Sequence, residues 1–335
     1  MENRANYTLL HIDRPEELAA YARARGWLLP AESVCGLGRA GEGNMNLTLR
    51  VQTAERSFIL KQARPWVEKY PDIPAPKERV LVEAAFYQAV ADCPLVAERM
   101  PGFLGWDEEN FVAAFADLGE TADCTDLYND GGVAFADLPG LCQWLAALHQ
   151  ATFDEPTRAC LENRAMRQLN HEHLYCFPLR PDNGLDLDAI TPGLARAARA
   201  LQDDAVYCSA IAELGALYLE NGSCLLHGDF YPGSWVRAGG DVWIIDPEFC
   251  FFGPPEFDVG ILVGHLLLAG RPLELAQSVF DHYGASPSLS HSLALQFASM
   301  EIMRRLIGVA QLPLTADLPR KEALLETSRE LVLGR

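Results

Sequence analysis

Three carboxylates and one lysine stand at spacings that suit phosphoryl transfer. Asp229 comes just after the short apolar run Cys224-Leu-Leu226, within His227-Gly-Asp229. Asp246 follows seventeen residues later, directly behind Val242-Trp-Ile-Ile245, and Glu248 is two residues further on. An acid after each of two short apolar strands is expected to put the two acids at adjacent strand ends. One can then orient or deprotonate an attacking hydroxyl, while the other holds a metal ion that neutralises developing charge. Lys61 ends the apolar run Phe58-Ile-Leu-Lys61, eighteen residues after Gly43. Glu83 is placed on a predicted helix to hold its ammonium against nucleotide phosphates.

The elements that position these groups can be read from periodicity. A helix is expected from Asp13 to Gly26, with Pro15 in its first turn. In a cluster of four glycines (36, 38, 41 and 43), Gly36, Gly38 and Gly41 match the dinucleotide pattern G-x-G-x-x-G, but that pattern requires a strand before it and a helix after it. Here Met45, Leu47, Leu49 and Val51 alternate with polar residues, which predicts a strand. The cluster is therefore read as a glycine-rich turn between strands, and Phe58–Lys61 as the second arm of a hairpin with 45–51. A proline-rich loop over 65–76 leads to a helix over 79–90, and Phe111–Phe115 reads as a further strand. Beyond it come a helix over 138–149, an irregular stretch over 150–193 and one long alanine-rich helical tract ending near Glu220. The two short strands before Asp229 and Asp246 and a mainly helical remainder complete the plan. The expected fold class is α+β, with a β-rich lobe over 1–117 and a helical lobe over 118–335.

Composition removes other classes. The chain has 335 residues, 49% apolar and 22% charged, which is globular usage. Its net charge is -19, a poor match for nucleic acid or an anionic membrane. Residues 1–117 carry 13 basic and 17 acidic side chains, and residues 118–335 carry 14 and 29, so the excess acid lies in the second part. No apolar run reaches membrane-spanning length and no secretory leader is read. Nine cysteines without a Cys-x-x-Cys pair point to a reduced, cytoplasmic protein. His171 and His173 lack partners at metal-ligand spacing and read as surface loop histidines.

His227-Gly-Asp-Phe-Tyr-Pro-Gly-Ser234, Asp246-Pro-Glu-Phe-Cys-Phe-Phe-Gly-Pro254 and Phe257-Asp-Val-Gly260 together resemble the 5-methylthioribose kinases. That family belongs to the aminoglycoside phosphotransferase and choline kinase superfamily, which is protein-kinase-like. Gly41-Glu-Gly-Asn-Met-Asn46, Leu60-Lys-Gln-Ala63 and Met303-Arg-Arg-Leu-Ile-Gly308 are similar to its glycine loop, lysine strand and paired-arginine helix. The resemblance implies a two-lobe fold, ATP and Mg2+ as cofactors, and a small-molecule hydroxyl acceptor. It implies Asp229 as catalytic base, with Ser234 where most kinases place a metal-binding Asn. Asp246 and Glu248 would bind magnesium. Gly41, Gly43, Asn44, Lys61 and Glu83 would bind the nucleotide, and Ala114 to Asp117 would be the adenine hinge. His227 and Asp258 would brace the catalytic loop. Tyr231, in Tyr-Pro where the family has His-Thr, would line the acceptor wall.

Arg304 and Arg305 carry the acceptor assignment, since the family uses such a pair on sugar hydroxyls. Phe297, Met300, Met303, Ile307 and Ala310 form one helical face, and consecutive residues diverge by about 100°. Only one of the two arginines is therefore expected to flank that face closely. Three readings stay open. The first is a kinase for a methylthioribose-like pentose. The second is a phosphotransferase for a cationic acceptor, an aminoglycoside or amino alcohol, drawn by the acidic second part. The third is a catalytically silent nucleotide-binding regulator. The arginines, which would repel ammonium groups, favour the first over the second, and the intact set of acids and Lys61 disfavours the third. A second copy of the chain is the one macromolecular partner kept in view.

Overall fold

The computed structural model describes residues 7–41, 45–129, 137–284 and 289–334. They fall into two compact units, Met1–Thr121 and Ala122–Arg335.

The first unit is built on a five-stranded antiparallel sheet. In chain order its elements are α1 (Pro15–Ala24), β1 (Gly36–Arg39), β2 (Leu47–Gln52), β3 (Ser57–Gln62), β4 (Trp66–Val67) and β5 (Tyr70–Pro74). They are followed by α2 (Arg79–Ala89), α3 (Pro94–Ala97), β6 (Phe103–Asp107) and β7 (Val112–Ala116). The sheet order is β1-β2-β3-β7-β6. Gly36 to Arg39, expected as part of a turn, is itself a strand paired with β2. Among the described residues the next element after Gly41 is β2, not a helix. β4 and β5 form a small hairpin inside the segment expected as a proline-rich loop. This is compatible with proline because edge strands tolerate a missing N–H.

Alternation on β3 decides which groups face which layer. Phe58 and Leu60 join Leu18, Ala22, Leu47, Leu49 and Val51 in the core beneath α1. Lys61 therefore points to the opposite face, where α2 packs on β6 and β7.

The second unit is mainly helical. It runs β8 (Ala122–Asp123), α4 (Leu138–Gln150), α5 (Glu155–Cys160), α6 (Arg164–His171), α7 (Leu187–Ile190), α8 (Leu194–Gln202) and α9 (Ala205–Leu219). Then come β9 (Cys224–Leu226), β10 (Trp235–Ala238), β11 (Asp241–Ile244), β12 (Phe251–Gly253), α10 (Glu256–Leu268), α11 (Leu273–Tyr283), α12 (His291–Ile307) and α13 (Leu318–Val332). The stretch 150–193 is thus not irregular. It contains α5, α6, a π-helical turn over Glu172–Cys176 and a 3-10 turn over Phe177–Leu179. Short helices separated by Pro178 and Asn183-Gly184 leave too little periodicity to read. The alanine-rich tract is two helices, because Asp204 accepts the N–H groups of Val206 and Tyr207 and starts α9 afresh.

Helix α10 is buried along its whole length and packs on α4, α11 and α12. Gly260 and Gly264 let α12 approach. A Cβ at 260 would meet the Ala294 carbonyl oxygen at 2.5 Å, and one at 264 would meet Glu301 Cβ at 3.0 Å. All nine cysteines are free thiols. Among the described residues, no helix is long and apolar enough to cross a membrane.

Candidate active site

In the first unit, Lys61 Nζ lies 2.7 Å from Glu83 Oε2, with side chains 5% and 2% exposed. One turn before Glu83, on the same face of α2, Arg79 is completely buried. Its Nε donates to Asn46 Oδ1 at 2.8 Å, and Nη2 donates to the Met45 carbonyl at 2.7 Å. Nη1 donates to the carbonyls of Arg64 and Pro76 at 2.8 and 2.6 Å. One helix therefore ties down both the exit of the glycine loop and the lysine. Gly41 is exposed with φ of +73°, a left-handed conformation that favours glycine. Gly43 and Asn44 lie outside the described residues. Asp117 ends β7's run; its carboxylate takes Arg50 Nε at 2.7 Å and Ser57 Oγ at 2.6 Å. Burial pushes that carboxyl up, but the bonds from Ser57 and Arg50 prevail and hold it below its ordinary value.

In the second unit, the loop after β9 is fixed from several sides. Asp258 is fully buried in the first turn of α10. Its Oδ2 accepts the His227 N–H at 2.7 Å, and its Oδ1 accepts the Gly228 N–H at 3.0 Å. His149 Nε2 lies 3.2 Å from the same carboxylate. His227 is also fully buried. The Asp229 N–H donates to its Nδ1 at 3.3 Å, so the proton is on Nε2, which donates to the Ile245 carbonyl at 3.0 Å. Burial lowers the His227 pKa against the pull of Asp258, consistent with this neutral tautomer. Gly228 has φ of +87°, and a Cβ there would stand 2.1 Å from the Phe249 carbonyl oxygen. Phe230 stacks on Trp144 with ring centroids 5.5 Å apart and packs against Trp235, which anchors the loop in the core.

The expectation that Asp229 and Asp246 end adjacent strands is corrected. β9 pairs with β12, whereas β11 pairs with β10, so the two strands belong to different sheets. Both acids are instead tied through side chains and loops. Ser234 Oγ donates to the Asp229 carbonyl at 3.0 Å, and the Ile245 N–H donates to the Ser234 carbonyl at 3.0 Å. Hydrogen bonding of His227 to Ile245 closes the same link. Sequence reasoning saw the strands but not the β10–β11 hairpin that intervenes.

The two arginines also depart from expectation. Both are buried, Arg304 at 9% and Arg305 at 5% exposure, and both reach Asp229. Their Nη2 atoms lie 3.2 and 3.4 Å from Asp229 Oδ1. The divergence of their Cα–Cβ bonds is overcome by length, because one carboxylate turns both side chains to the same point. Glu301, fully buried, takes Arg304 Nε on Oε2 at 2.5 Å and Arg305 Nε on Oε1 at 2.7 Å. Burial would raise the Glu301 carboxyl, yet the two guanidiniums hold it well below its usual range. Burial likewise opposes the charge on Arg305, but Glu301 and Asp229 raise its pKa. The Arg305 guanidinium also lies over the Tyr231 ring, 4.7 Å from its centroid. Two cations and two anions cancel here, so the pair repels a cationic acceptor less than its formal charge suggests. Helix α12 ends at Ile307, leaving Ala310 outside it, where its carbonyl faces Arg305 Nη1 at 3.4 Å.

Glu301, His265 and Tyr128 were not singled out in the sequence. A glutamate three and four residues before an arginine pair is a signal that could have found the first. His171 and His173, read as surface loop histidines, sit instead in α6 and the π-helical turn, and burial lowers both pKa values.

Asp246 has φ of +62° at the end of β11 and begins the 3-10 turn that carries buried Glu248. Asn163 Nδ2 donates to the Glu248 carbonyl at 2.9 Å and fixes that turn. Among the described residues, no cluster of three or more His, Cys, Asp or Glu could hold a metal ion unaided. A two-carboxylate oxygen donor set fits magnesium, which keeps water and phosphate oxygens as its other ligands.

The model of the APH phosphotransferase enzyme family matches residues 37–294. The chain belongs to that family. Among its phosphotransferase relatives, methylthioribose kinase of Exiguobacterium sibiricum is 28% identical over 69% of this chain and 61% of its own length. Methylthioribose kinase of Pectobacterium carotovorum is 27% identical over 94% of this chain and 90% of its own. The chain thus spans less than two thirds of the first relative and most of the second. Two solved phosphotransferases share the fold. Choline kinase LicA of Streptococcus pneumoniae aligns with a TM-score of 0.52 at 11% identity, covering 96% of this chain and 99% of its own. A spectinomycin phosphotransferase in complex with ADP aligns at 0.53 and 10%, covering 95% and 97%. The fold is protein-kinase-like, with a β-rich N-terminal lobe and a mainly helical C-terminal lobe.

Proposed function

We propose that this phosphotransferase moves the γ-phosphoryl group of ATP to a hydroxyl of a methylthioribose-like pentose. The observation that carries the reading is the convergence of Arg304 and Arg305 on Asp229. The names of the relatives support the same acceptor class. Both guanidiniums sit on Oδ1, which leaves Oδ2 as the oxygen to take the hydroxyl proton. The new bond joins the acceptor oxygen to the γ-phosphorus, the bridging P–O bond to the β-phosphate breaks, and ADP leaves with that electron pair. Forked donors beside the base suit the vicinal hydroxyls of a sugar and the oxygens of the transferring group.

Asp246 and Glu248 would hold a magnesium ion, whose chemistry there is to neutralise phosphate charge. Lys61, held by Glu83, would contact the α/β-phosphates, with Gly41 in the loop above them. Gly43 and Asn44 are proposed for the same loop on sequence alone. Asp117 would take part through its backbone, since its carboxylate serves Arg50 and Ser57. Ser234 would hold the Asp229 loop in place, with His227 and Asp258 bracing it, and Tyr231 would wall the acceptor site beneath Arg305. The test is a coupled ADP-release assay over methylthioribose, other pentoses, aminoglycosides and amino alcohols. Turnover confined to the cationic acceptors would replace this reading with the second one.

A further inference from the structure

The two arginines could act on an acceptor only if their guanidinium tips are aimed, and the structure contains a device that aims them. We infer that Glu301 is the positioning residue of the arginine pair, with His265 and Tyr128 supporting it from behind. The inference rests on the proposed acceptor role of Arg304 and Arg305, and deepens it.

Each guanidinium is gripped at Nε, near its root, by a different oxygen of one carboxylate. That leaves the outer nitrogens pointing away from Glu301, and one from each arginine meets Asp229 Oδ1. A free arginine explores many rotamers, and a carboxylate at Nε removes most of that freedom. Glu301 is itself held. Its Oε1 is 2.8 Å from His265 Nε2, outside good hydrogen-bond alignment, and His265 Nδ1 is 2.6 Å from the Tyr128 hydroxyl. The carboxylate so near Nε2 favours the ring proton there, which leaves Nδ1 to accept from the Tyr128 O–H. The whole group lies where Gly264 admits α12 against α10. A larger residue at 264 would press on Glu301 Cβ.

A merely charge-balancing Glu301 would leave acceptor and ATP kinetics to fall together. A positioning Glu301 separates them. Glu301→Gln keeps the shape but turns one oxygen into an amide donor that faces an Nε–H. In this variant kcat/KM for the acceptor should fall roughly 10- to 100-fold, the loss of one charge-assisted hydrogen bond, with KM for ATP within about twofold. Glu301→Asp reaches only one Nε and should fall between the two. Equal losses for acceptor and ATP, or less than about a threefold loss in a folded variant, would overturn the inference.

Should the variants not fold, the wild-type protein still decides. NMR of the arginine Nε–Hε groups, assigned by Arg304→Lys and Arg305→Lys, should give two slowly exchanging signals shifted by a carboxylate. Exchange as fast as that of exposed arginines would overturn the inference. If methylthioribose is not phosphorylated, the acceptor reading fails on its own. The NMR measurement, and kinetics with whichever acceptor releases ADP, then test Glu301 separately.

Discussion

Replacing Lys61 is expected to do more than weaken nucleotide use. From the sequence, Lys61→Ala removes a single phosphate contact worth about 1.5–3 kcal/mol and leaves the fold alone. The structure changes that expectation, because Lys61 and Glu83 form an ion pair with both side chains at least 95% buried. Deleting one member of such a pair strands the other charge in a low-dielectric site, at about 3–5 kcal/mol. Against a total stability of about 5–15 kcal/mol, that is a large fraction. The first unit should then melt on the order of 10 °C lower than in wild type. Calorimetry of Lys61→Ala beside the double variant Lys61→Met/Glu83→Gln separates the two effects. The double variant carries neither charge and should recover at least half of the lost stability, while its KM for ATP stays as poor as that of the single variant. The reasoning is wrong if Lys61→Ala melts within a degree or two of wild type, or if the double variant is no more stable than the single.

Acidification should destabilise the second unit through His265, whose pKa burial pushes down to about 4 from an ordinary 6.5. Because the folded value is the lower one, this contribution is complete above pH 6.5 and is lost as pH falls toward 4, about 3 kcal/mol in all. The melting temperature should drop over that window, and less steeply in His265→Gln, which cannot titrate; equal slopes would refute it. Gly228→Ala should abolish activity or soluble expression, since a methyl cannot share space with the Phe249 carbonyl and φ is left-handed; a soluble variant with wild-type kcat would contradict the packing. Turnover should cease in EDTA and in Asp246→Ala, and fall in Glu248→Gln with a higher magnesium requirement; activity undiminished in EDTA would remove magnesium from both acids.

The β2–β3 hairpin, α2, α4 and the β9 strand were legible because each is a single period with clear ends. Alternation from Leu47 to Val51 and the Thr53–Arg56 turn needed no tertiary information. The groups bearing chemistry were legible for a different reason. Asp246 and Lys61 follow an apolar run directly and Asp229 stands three residues past one, and a charge at the end of such a run is locally conspicuous. What stayed hidden depends on packing between distant segments. Glu301 looks like an ordinary helical acid until Gly264 brings α10 over it. Arg79 looks like a surface arginine at the start of a helix, whereas five residues from three separate segments, 45–46, 64–66 and 76, supply its partners. The relation of Asp229 to Asp246 was misread because strand pairing is a long-range property that run length does not encode.

The most direct test follows phosphorus. Protein, ATP, magnesium and methylthioribose, incubated together and observed by 31P NMR, should lose the γ-phosphate signal of ATP. One phosphomonoester resonance coupled to a sugar proton should grow in its place, and should be absent with Asp229→Asn. Appearance of inorganic phosphate alone, or of a phosphoester only when an aminoglycoside or amino alcohol replaces the sugar, would contradict the assignment.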